Sequence, residues 1–104
     1  DDTLRQWAKA PIICWSLDTE DWKDPTPSRI TADILRQVKD GDIILMHDIF
    51  DTSVTAALAA VDQLLAQGYR LVTVEELFAQ RGQDPQPGAV YCSLPPAQKE
   101  EVEP

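Results

Sequence analysis

The sequence predicts an α/β fold with about three parallel strands and helices between them. Short apolar runs, typical of strands buried on both faces, alternate along the chain with segments of helical periodicity. The connections are short, and a helix that joins two strands of one sheet favours parallel pairing. Three strands are few, because doubly wound sheets usually have about five or more and closed barrels about eight. We therefore expect this chain to form part of a larger sheet or barrel.

The N-terminal third of the chain predicts a short helix followed by the first strand. The helix is expected over residues 3–9 and ends before Pro11. The continuous apolar run Ile12–Leu17 predicts a buried strand. A polar loop rich in Asp, Thr and Pro follows this strand and extends from Asp18 to Pro27.

Two longer helices flank the second predicted strand. The first of them is expected over Ser28–Lys39, and the apolar run Ile43–Met46 predicts the strand. The second helix is expected to run from a cap at Thr52 or Ser53 to Gln67. Its predicted inner face comprises Val54, Ala57, Leu58, Val61, Leu64 and Leu65.

The C-terminal third predicts a third strand and a last helix. The strand is expected over Tyr69–Val74. Thr73 and Glu76 have the spacing of a capping box, which predicts a helix that ends near Arg81-Gly82. Beyond that helix the sequence is irregular, apart from a short strand expected at Ala89–Cys92.

We expect two regions along the chain. Residues 1–82 contain the alternating helices and strands and are assigned to one structured unit. Residues 83–104 are assigned to an irregular tail, in which Pro and polar residues replace the periodic apolar pattern. The last eight positions, 97–104, are expected to be disordered.

Composition and charge argue against several kinds of partner. The 104 residues are 43% hydrophobic, as in a small globular domain with one core. The net charge of −9 argues against nucleic acid and against anionic membranes as partners. No apolar run approaches the roughly 18 residues of a membrane span, and no signal peptide is apparent. The chain begins with Asp1-Asp2, so we expect a mature form, an expressed piece or a fragment.

The two cysteines lack the spacing of a metal site. Cys14 lies in an apolar run, which favours packing as a small hydrophobic side chain. The alternative is a disulfide with Cys92, which nothing in the sequence favours.

Polar and aromatic side chains follow the first two predicted strands. Asp18, Asp21 and Trp22 come after the first strand, and His47 and Asp48 come after the second. Because the carboxyl ends of parallel strands meet at one edge, we expect these groups to lie together. The position of His47, with carboxylates nearby, favours a role as a general acid over a purely structural one.

Several of these positions have structural alternatives. Asp18 and Asp21 are both candidates to orient His47, and either could instead accept backbone hydrogen bonds within the loop. Trp22 could line a sugar groove or anchor the loop against Trp15. For Asp48, a structural role in its loop is favoured.

Other site chemistries have less support. Zinc hydrolysis needs about three protein ligands, and the chain has one histidine and no HxxH pair. No GxSxG motif marks a nucleophilic serine. A glycosidase pair is disfavoured because the spacing of Asp18 and Asp21 does not secure the required separation of about 5–9 Å. A receiver-like signalling domain is disfavoured because no acidic pocket with a partner lysine is apparent.

Two motifs and the segment that follows them resemble a known family. WSLDTEDWK (residues 15–23) and DGDIILMHDI (residues 40–49) resemble the fourth and fifth motifs of polysaccharide deacetylases. LLAQGYRLVTVEEL (residues 64–77) is similar to the closing section of the same domain. The resemblance is to the NodB-homology domain of carbohydrate esterase family 4, and it extends over about residues 12–80.

The resemblance implies a fold, a reaction and roles for individual residues. The fold would be the C-terminal portion of a distorted (β/α) barrel. The reaction would be metal-dependent hydrolysis, usually with zinc, of acetyl groups from N-acetylated peptidoglycan or chitin, or from O-acetylated xylan. His47 would be the general acid, with Asp21 favoured over Asp18 to hydrogen-bond and tune its ring. Trp22 would form a wall of the sugar groove, and Leu45 would line the acetyl pocket.

The sequence also departs from the family pattern. The Asp pair of the first motif, the two histidines of the second and the Arg-Pro-Tyr segment of the third have no counterpart here. We therefore expect the chain to be the C-terminal part of the domain and to be inactive alone. The metal ligands and base would lie in the N-terminal half, in the same polypeptide, a companion fragment or a swapped copy.

Two further expectations follow from the resemblance. The complete protein would act on acetylated polysaccharide in the bacterial cell envelope or after secretion. The alternative function is a non-catalytic relic or carbohydrate-binding module that keeps the groove wall but lacks the metal half.

Overall fold

The computed structural model describes residues 2–24, 26–48 and 50–96. In chain order the elements are α1 (Asp2–Trp7), β1 (Ile12–Ile13), β2 (Leu17–Asp18), α2 (Pro27–Gln37), β3 (Ile44–Leu45), α3 (Asp51–Ala66), α4 (Val74–Arg81) and β4 (Val90–Tyr91). The predicted α/β class with parallel strands is confirmed. The tail expected to be disordered, 97–104, lies outside the described residues. Among the helices of the described ranges, none is long and apolar enough to cross a bilayer.

The strands form two short parallel pairs. In one pair β2 lies beside β3, with Leu17 opposite Ile44 and Asp18 opposite Leu45. In the other pair β1 lies beside β4. Each strand is two residues long.

The apolar run 12–17, predicted as one strand, bends between β1 and β2. The backbone amides of Ser16 and Leu17 both donate to the carbonyl oxygen of Ile43, at 3.0 and 3.2 Å. Two residues therefore face one residue of the partner strand, as in a β-bulge, and a bulge re-aims the strand that contains it. The bend gives the two halves of the run different partners and directs β2 toward β3.

The prediction that Cys14 packs as a free thiol is wrong. Cys14 and Cys92 form a disulfide, with their Cα atoms 4.5 Å apart. The cause is the register of β1 and β4, in which Ile13 lies opposite Tyr91. The residue that follows each of these is a cysteine, so parallel pairing brings the two cysteines side by side. The disulfide and β4 attach the segment after α4 to β1.

The main core lies between α2, α3 and the β2–β3 pair. It consists of Leu17, Ile30, Ile34, Ala56, Ala60 and Leu64, all buried. The predicted burial of the α2 face is confirmed at Ile30 and Ile34. Gly41, in the turn before β3, has φ +92°, and an added Cβ would lie 2.0 Å from the carbonyl oxygen of Leu94. Only glycine fits at this position.

The predicted inner face of α3 is wrong at Val54, Leu58 and Leu65, whereas Leu64 is buried and Ala57 and Val61 are half-buried. The predicted cap at Thr52 or Ser53 is also wrong, because Phe50 is the N-cap. The helix buries Ser53, Ala56 and Ala60 as well as Leu64, whereas Val54, Leu58 and Leu65 are exposed. Three of the four buried side chains are small, and small side chains allow two helix axes to approach closely. The close approach to α2 is visible where the Thr31 hydroxyl donates to the carbonyl oxygen of Ala56, at 3.4 Å.

The segment before α4 is not a strand, contrary to the prediction for Tyr69–Val74. Within the described ranges it pairs with no other strand. It instead packs Val72 beside Leu77 and Phe78 in a second, smaller apolar cluster. The capping box at the start of α4 is confirmed, with reciprocal hydrogen bonds between Thr73 and Glu76.

Candidate active site

The parallel pairing of β2 and β3 brings two polar loops to one edge. Asp18 lies opposite Leu45 at the carboxyl ends of these strands. The chain reaches Asp21 three residues later on one side and His47 two residues later on the other. The side chains of Asp21 and His47 meet there, as the spacing of the sequence predicts.

Asp21 makes two hydrogen bonds to His47. The backbone N–H of His47 donates to Oδ2 of Asp21 at 2.7 Å. The ring nitrogen Nδ1 of His47 lies 2.8 Å from Oδ1 of the same carboxylate. One carboxylate therefore holds both the backbone and the ring of the histidine, which restricts the ring to a narrow range of orientations.

The buried carboxylate of Asp21 is stabilised in its ionised form. Its side chain is fully buried, with an exposed fraction of 0%. Burial alone raises the pKa of Asp21, but the hydrogen bonds from His47 and the contribution of Ser53 outweigh that effect and hold the pKa below its usual range. An ionised Asp21 can accept only, so we assign the proton on Nδ1 to the histidine.

The His47 ring is held on one side and open on the other. Its side chain is 38% exposed, whereas Asp21 is buried. Because Nδ1 faces Asp21, the nitrogen left for a substrate is Nε2. None of the residues that the structure describes makes a hydrogen bond to Nε2. A ring with this arrangement can donate or accept a proton at Nε2 while Asp21 balances its charge.

Two residues that the sequence did not single out support the loop that carries Asp21. Thr19 is buried, and its hydroxyl donates to the carbonyl oxygen of Leu45 at 3.0 Å. Arg29 of α2 donates to the carbonyl oxygens of Thr19, at 2.7 Å, and of Glu20, at 3.3 Å. Thr19 lies within the stretch WSLDTEDWK, which gave it no role, and Arg29 lies outside the quoted motifs.

The same loop contains an unusual backbone conformation. Glu20 has φ +50°, in the left-handed region that non-glycine residues seldom occupy. Its carbonyl oxygen accepts from the backbone N–H groups of Lys23 and Asp24, at 3.0 and 3.3 Å. This tight turn lies next to Asp21, and strained backbone near a polar site is typical of functional loops.

The other predicted site residues lie around this pair. Trp22 is 51% exposed, and Nζ of Lys23 lies 5.0 Å from its ring centroid. Leu45 is half-buried in β3. Within the described ranges Trp22 makes no ring contact with Trp15. Trp22 thus presents an exposed aromatic ring, with the Lys23 ammonium over it, next to Asp21 in the chain.

Asp18 and Asp48 do not join the pair. Oδ1 of Asp18 accepts from the backbone N–H of Glu20 at 2.9 Å, a local turn contact of the kind that the sequence left open. Asp48 is exposed. The geometry therefore separates the two candidates for orienting His47 and brings Asp21, not Asp18, to the ring.

The residues that the structure describes do not form a metal site. Zinc in a hydrolase requires about three protein ligands. In the described part of the chain, no group of three or more His, Cys, Asp and Glu side chains could hold a metal ion. His47 and Asp21 satisfy one another, so the chemistry available here is proton transfer.

Comparisons with curated proteins found several relatives, although no model of a known protein family matches the chain. The chain is 43% identical over 76 residues to peptidoglycan-N-acetylmuramic acid deacetylase PdaC of Bacillus subtilis, covering 73% of this chain and 16% of the relative. It is 42% identical over 71 residues to peptidoglycan-N-acetylglucosamine deacetylase PgdA of Listeria monocytogenes, covering 68% and 15%. A bifunctional xylanase/deacetylase of Pseudobutyrivibrio xylanivorans is 39% identical over 87 residues, covering 81% and 14%.

Solved structures that resemble this chain are also deacetylases. A T48 deacetylase with substrate superposes with a TM-score of 0.81 at 40% identity, over 88% of this chain and 45% of that one. The Xyl-CE4 domain of a multidomain xylanase from the hindgut metagenome of Trinervitermes trinervoides superposes with a TM-score of 0.78 at 30% identity, over 89% and 47%. The chain thus spans less than a fifth of these curated relatives and less than half of these solved chains, over their C-terminal part.

Proposed function

Because the chain belongs to the polysaccharide deacetylases of carbohydrate esterase family 4, whose C-terminal part it matches, we propose that it supplies the general acid of a deacetylase site. The observation that carries the proposal is the double hydrogen bond between Asp21 and His47. It leaves a half-exposed imidazole with one nitrogen held and the other free.

The proposed step is protonation of the leaving group by His47. With the ring protonated, Nδ1–H donates to the ionised Asp21 and Nε2–H faces the leaving nitrogen or oxygen of the sugar. As the bond between the acetyl carbon and that atom breaks, the proton of Nε2 moves to the leaving atom and the ring becomes neutral. Asp21 stabilises the protonated ring before the step and keeps its orientation throughout.

The proposed substrate is an acetylated polysaccharide. Two of the relatives bear the names of peptidoglycan deacetylases and a third that of a xylanase/deacetylase, which supports acetylated sugar chains as the substrate class. Trp22 would stack on a sugar ring, and Leu45 would contact the acetyl methyl group. N-acetylated peptidoglycan fragments are the first substrates to test, because they correspond to the two relatives with the strongest matches among those named.

We propose that the remainder of a deacetylase domain supplies the metal ligands and the base. Zinc, the divalent metal that the family resemblance implies, would polarise the acetyl carbonyl and activate water. The described residues do not hold such an ion. We accordingly expect the 104-residue chain alone to release no acetate, and acetate release from it would contradict this part of the proposal.

The disulfide supports a location in an oxidising compartment. Disulfides persist in secreted and cell-envelope proteins and are rare in the cytosol of mesophiles. The Cys14–Cys92 bond therefore fits action on a cell-envelope or extracellular polysaccharide.

A second candidate function is sugar binding without hydrolysis. The exposed face of Trp22 favours it, since an aromatic ring can bind a sugar without any catalytic group. Acetate release separates the two functions, because a binding module would retain the polysaccharide and release none.

The proposal is tested by replacing His47 in the intact protein that contains this chain. His47→Ala should lower the turnover number for N-acetylated oligosaccharides by about 100-fold or more, the usual contribution of general acid catalysis. The Michaelis constant should change little. Asp62→Ala is a matched control, because Asp62 is an exposed residue of α3 about 16 Å along the helix from its start. An unchanged rate in His47→Ala would remove His47 from the acid role.

A further inference from the structure

Arg29 binds one loop of the candidate site at three points. Its side chain extends from the first turn of α2 and donates to the carbonyl oxygens of Thr19 at 2.7 Å, of Glu20 at 3.3 Å and of Asp24. A guanidinium offers five donors in a rigid planar fork, so it can bond several carbonyl oxygens at once. The guanidinium therefore fixes both ends of the segment 19–24.

The two functional side chains of this loop lie between the fixed points. Asp21 and Trp22 are consecutive in the chain, and both lie between Glu20 and Asp24. Asp21 is fully buried and contacts His47, whereas Trp22 is 51% exposed. A loop that is held at both ends therefore fixes a buried carboxylate and an exposed aromatic ring together.

The backbone of this loop needs such support. Glu20 has φ +50°, a conformation that costs free energy in a residue with a Cβ and persists where surrounding contacts over-determine it. Thr19 is buried, and a buried carbonyl oxygen requires a donor. Within the described ranges Arg29 is that donor, and no backbone N–H bonds to the carbonyl oxygen of Thr19. Arg29 thus satisfies the loop just before its unusual turn.

The ion pairs of Arg29 do not by themselves explain its position. The guanidinium lies 3.4 Å from Oδ2 of Asp24 and 3.1 Å from Oδ2 of Asp33. Arg36 of the same helix also pairs with Asp33, at 2.7 Å, and is 69% exposed. Ion pairs near the surface contribute little to stability. In the part of the chain that the structure describes, Arg36 donates to Asp33 alone, so the carbonyl contacts distinguish Arg29.

We infer that Arg29 is a positioning residue of the deacetylase site, which holds Asp21 as the acceptor of the His47 ring and Trp22 as a wall of the sugar groove. The inference rests on the proposed function, since both side chains are assigned to that site. Arg29 acts on the substrate only through the loop backbone. One substitution at Arg29 should therefore disturb proton donation and sugar binding together, whereas substitution of His47 or of Trp22 should disturb one of them.

The first test measures hydrogen exchange in the intact protein that contains this chain, without substrate. The backbone N–H of His47 donates to Oδ2 of Asp21, so its exchange rate reports the position of that carboxylate. Arg29→Ala should accelerate this exchange by about tenfold or more, because bonds from a charged donor to the loop are lost. The backbone N–H of Tyr69, which donates to the carbonyl oxygen of Leu64, should keep its rate. An unchanged rate at His47, or equal acceleration at Tyr69, would overturn the inference.

Trp22 provides a second reporter of the same loop. Nitrogen-15 relaxation of its backbone and indole N–H groups should show larger motion in Arg29→Ala than in the wild type. Trp7 and Trp15 lie outside the segment 19–24 and serve as internal references. No change at Trp22, or equal changes at the three tryptophans, would contradict the inference.

Two further substitutions separate the fork of Arg29 from its charge. Arg29→Lys retains a positive charge near Asp24 and Asp33, but its compact ammonium does not reproduce the planar fork. It should therefore accelerate exchange at His47 nearly as much as Arg29→Ala. Arg36→Ala is the matched control, because it removes an arginine of the same helix that pairs with Asp33, and it should leave the loop unchanged. Wild-type exchange in Arg29→Lys would overturn the inference, because charge alone would then suffice.

The last test is the kinetics of acetate release by the intact protein. Arg29→Ala should lower the turnover number by about threefold to tenfold, through Asp21 and His47, as expected for the loss of about one hydrogen bond. It should also raise the Michaelis constant by about twofold to tenfold, through Trp22. Arg36→Ala should change neither constant. Wild-type values of both constants in Arg29→Ala would reject the inference.

The tests distinguish failure of the inference from failure of the proposed function. If His47→Ala keeps the wild-type rate, the proposed function fails, and the exchange rates still decide whether Arg29 holds the loop. If His47→Ala loses activity while Arg29→Ala keeps wild-type constants, the inference fails alone.

Discussion

At the scale of single residues, Asp21 performs two tasks for His47 with one side chain. Its two oxygens bind the backbone N–H and the ring of the histidine at 2.7 and 2.8 Å. The carboxylate is buried, so these bonds are shielded from competing water. The ring, by contrast, is half-exposed, which leaves Nε2 able to meet a substrate.

The lowered pKa of Asp21 predicts a dependence of stability on pH. Because the folded protein holds the pKa of Asp21 below that of the unfolded chain, about 3.9, its stabilising contribution is complete above that pH. The contribution is lost as the pH falls through the folded-state pKa. Urea unfolding of the wild type and of Asp21→Asn should therefore show a stability difference that shrinks as the pH is lowered from 6. A difference independent of pH would contradict the assignment.

The exposed ring of Trp22 predicts an effect on sugar binding. Trp22→Ala should raise the Michaelis constant for an acetylated oligosaccharide by about twofold to tenfold, the value of one aromatic contact, and should change the turnover number less. Trp7→Ala is the matched control, because Trp7 is also an exposed tryptophan but lies on α1. Equal effects of the two substitutions would remove Trp22 from the groove.

At the scale of elements, the bend between β1 and β2 determines where the site lies. It directs β2 to β3, so that the loops carrying Asp21 and His47 emerge at one edge, and it leaves β1 to pair with β4. The disulfide then joins the end of β1 to the segment after β4. The segment after α4 thus holds β1 in place through β4 and the disulfide.

The disulfide predicts a loss of stability on reduction. It closes a loop between residues 78 positions apart, which corresponds to about 4.5 kcal/mol in the chain-entropy treatment, near the upper end of the full range of about 0–5 kcal/mol. Reductant should lower the urea midpoint of unfolding of the wild type. The double variant Cys14→Ser/Cys92→Ser should unfold at the lower midpoint with or without reductant. A wild-type midpoint insensitive to full reduction would contradict this contribution.

The sequence predicts the local elements of this fold better than their partners. Helical periodicity and the capping box located α2, α3 and α4, since those signals depend on residues close in the chain. The bend in the apolar run, the cysteine pairing and the buried face of α3 depend on long-range register. No local pattern carries that information.

The site could be predicted only in part, because local order in the sequence locates its loops but not their contacts. The order of strands and polar residues indicated that Asp21 and His47 would share an edge. The family resemblance already favoured Asp21 over Asp18, and the structure adds that Asp18 accepts from a backbone amide at the turn of Glu20 while Asp21 contacts the ring. No role for Thr19 or Arg29 follows from the sequence, and their hydrogen bonds appear only in the packed structure.

At the scale of the whole molecule, α3 exposes an apolar face. Val54, Leu58 and Leu65 of α3 are 45%, 64% and 53% exposed. Adjacent exposed aliphatic residues are typical of contact surfaces. The solved deacetylases have about twice the length of this chain, which supports contact with further parts of the domain. Under the proposed function, the described residues supply proton donation and the remainder of a deacetylase domain would supply activation of water.

The central claim, that His47 is the general acid, is tested most directly by the dependence of the rate on the leaving group. An amide of a sugar needs protonation of its leaving nitrogen, whereas an aryl acetate has a leaving group that departs without it. In the intact protein, His47→Ala should lower kcat/KM for an N-acetylated oligosaccharide by about 100-fold or more, and for an aryl acetate by less than about tenfold. Equal losses on both substrates would contradict the claim.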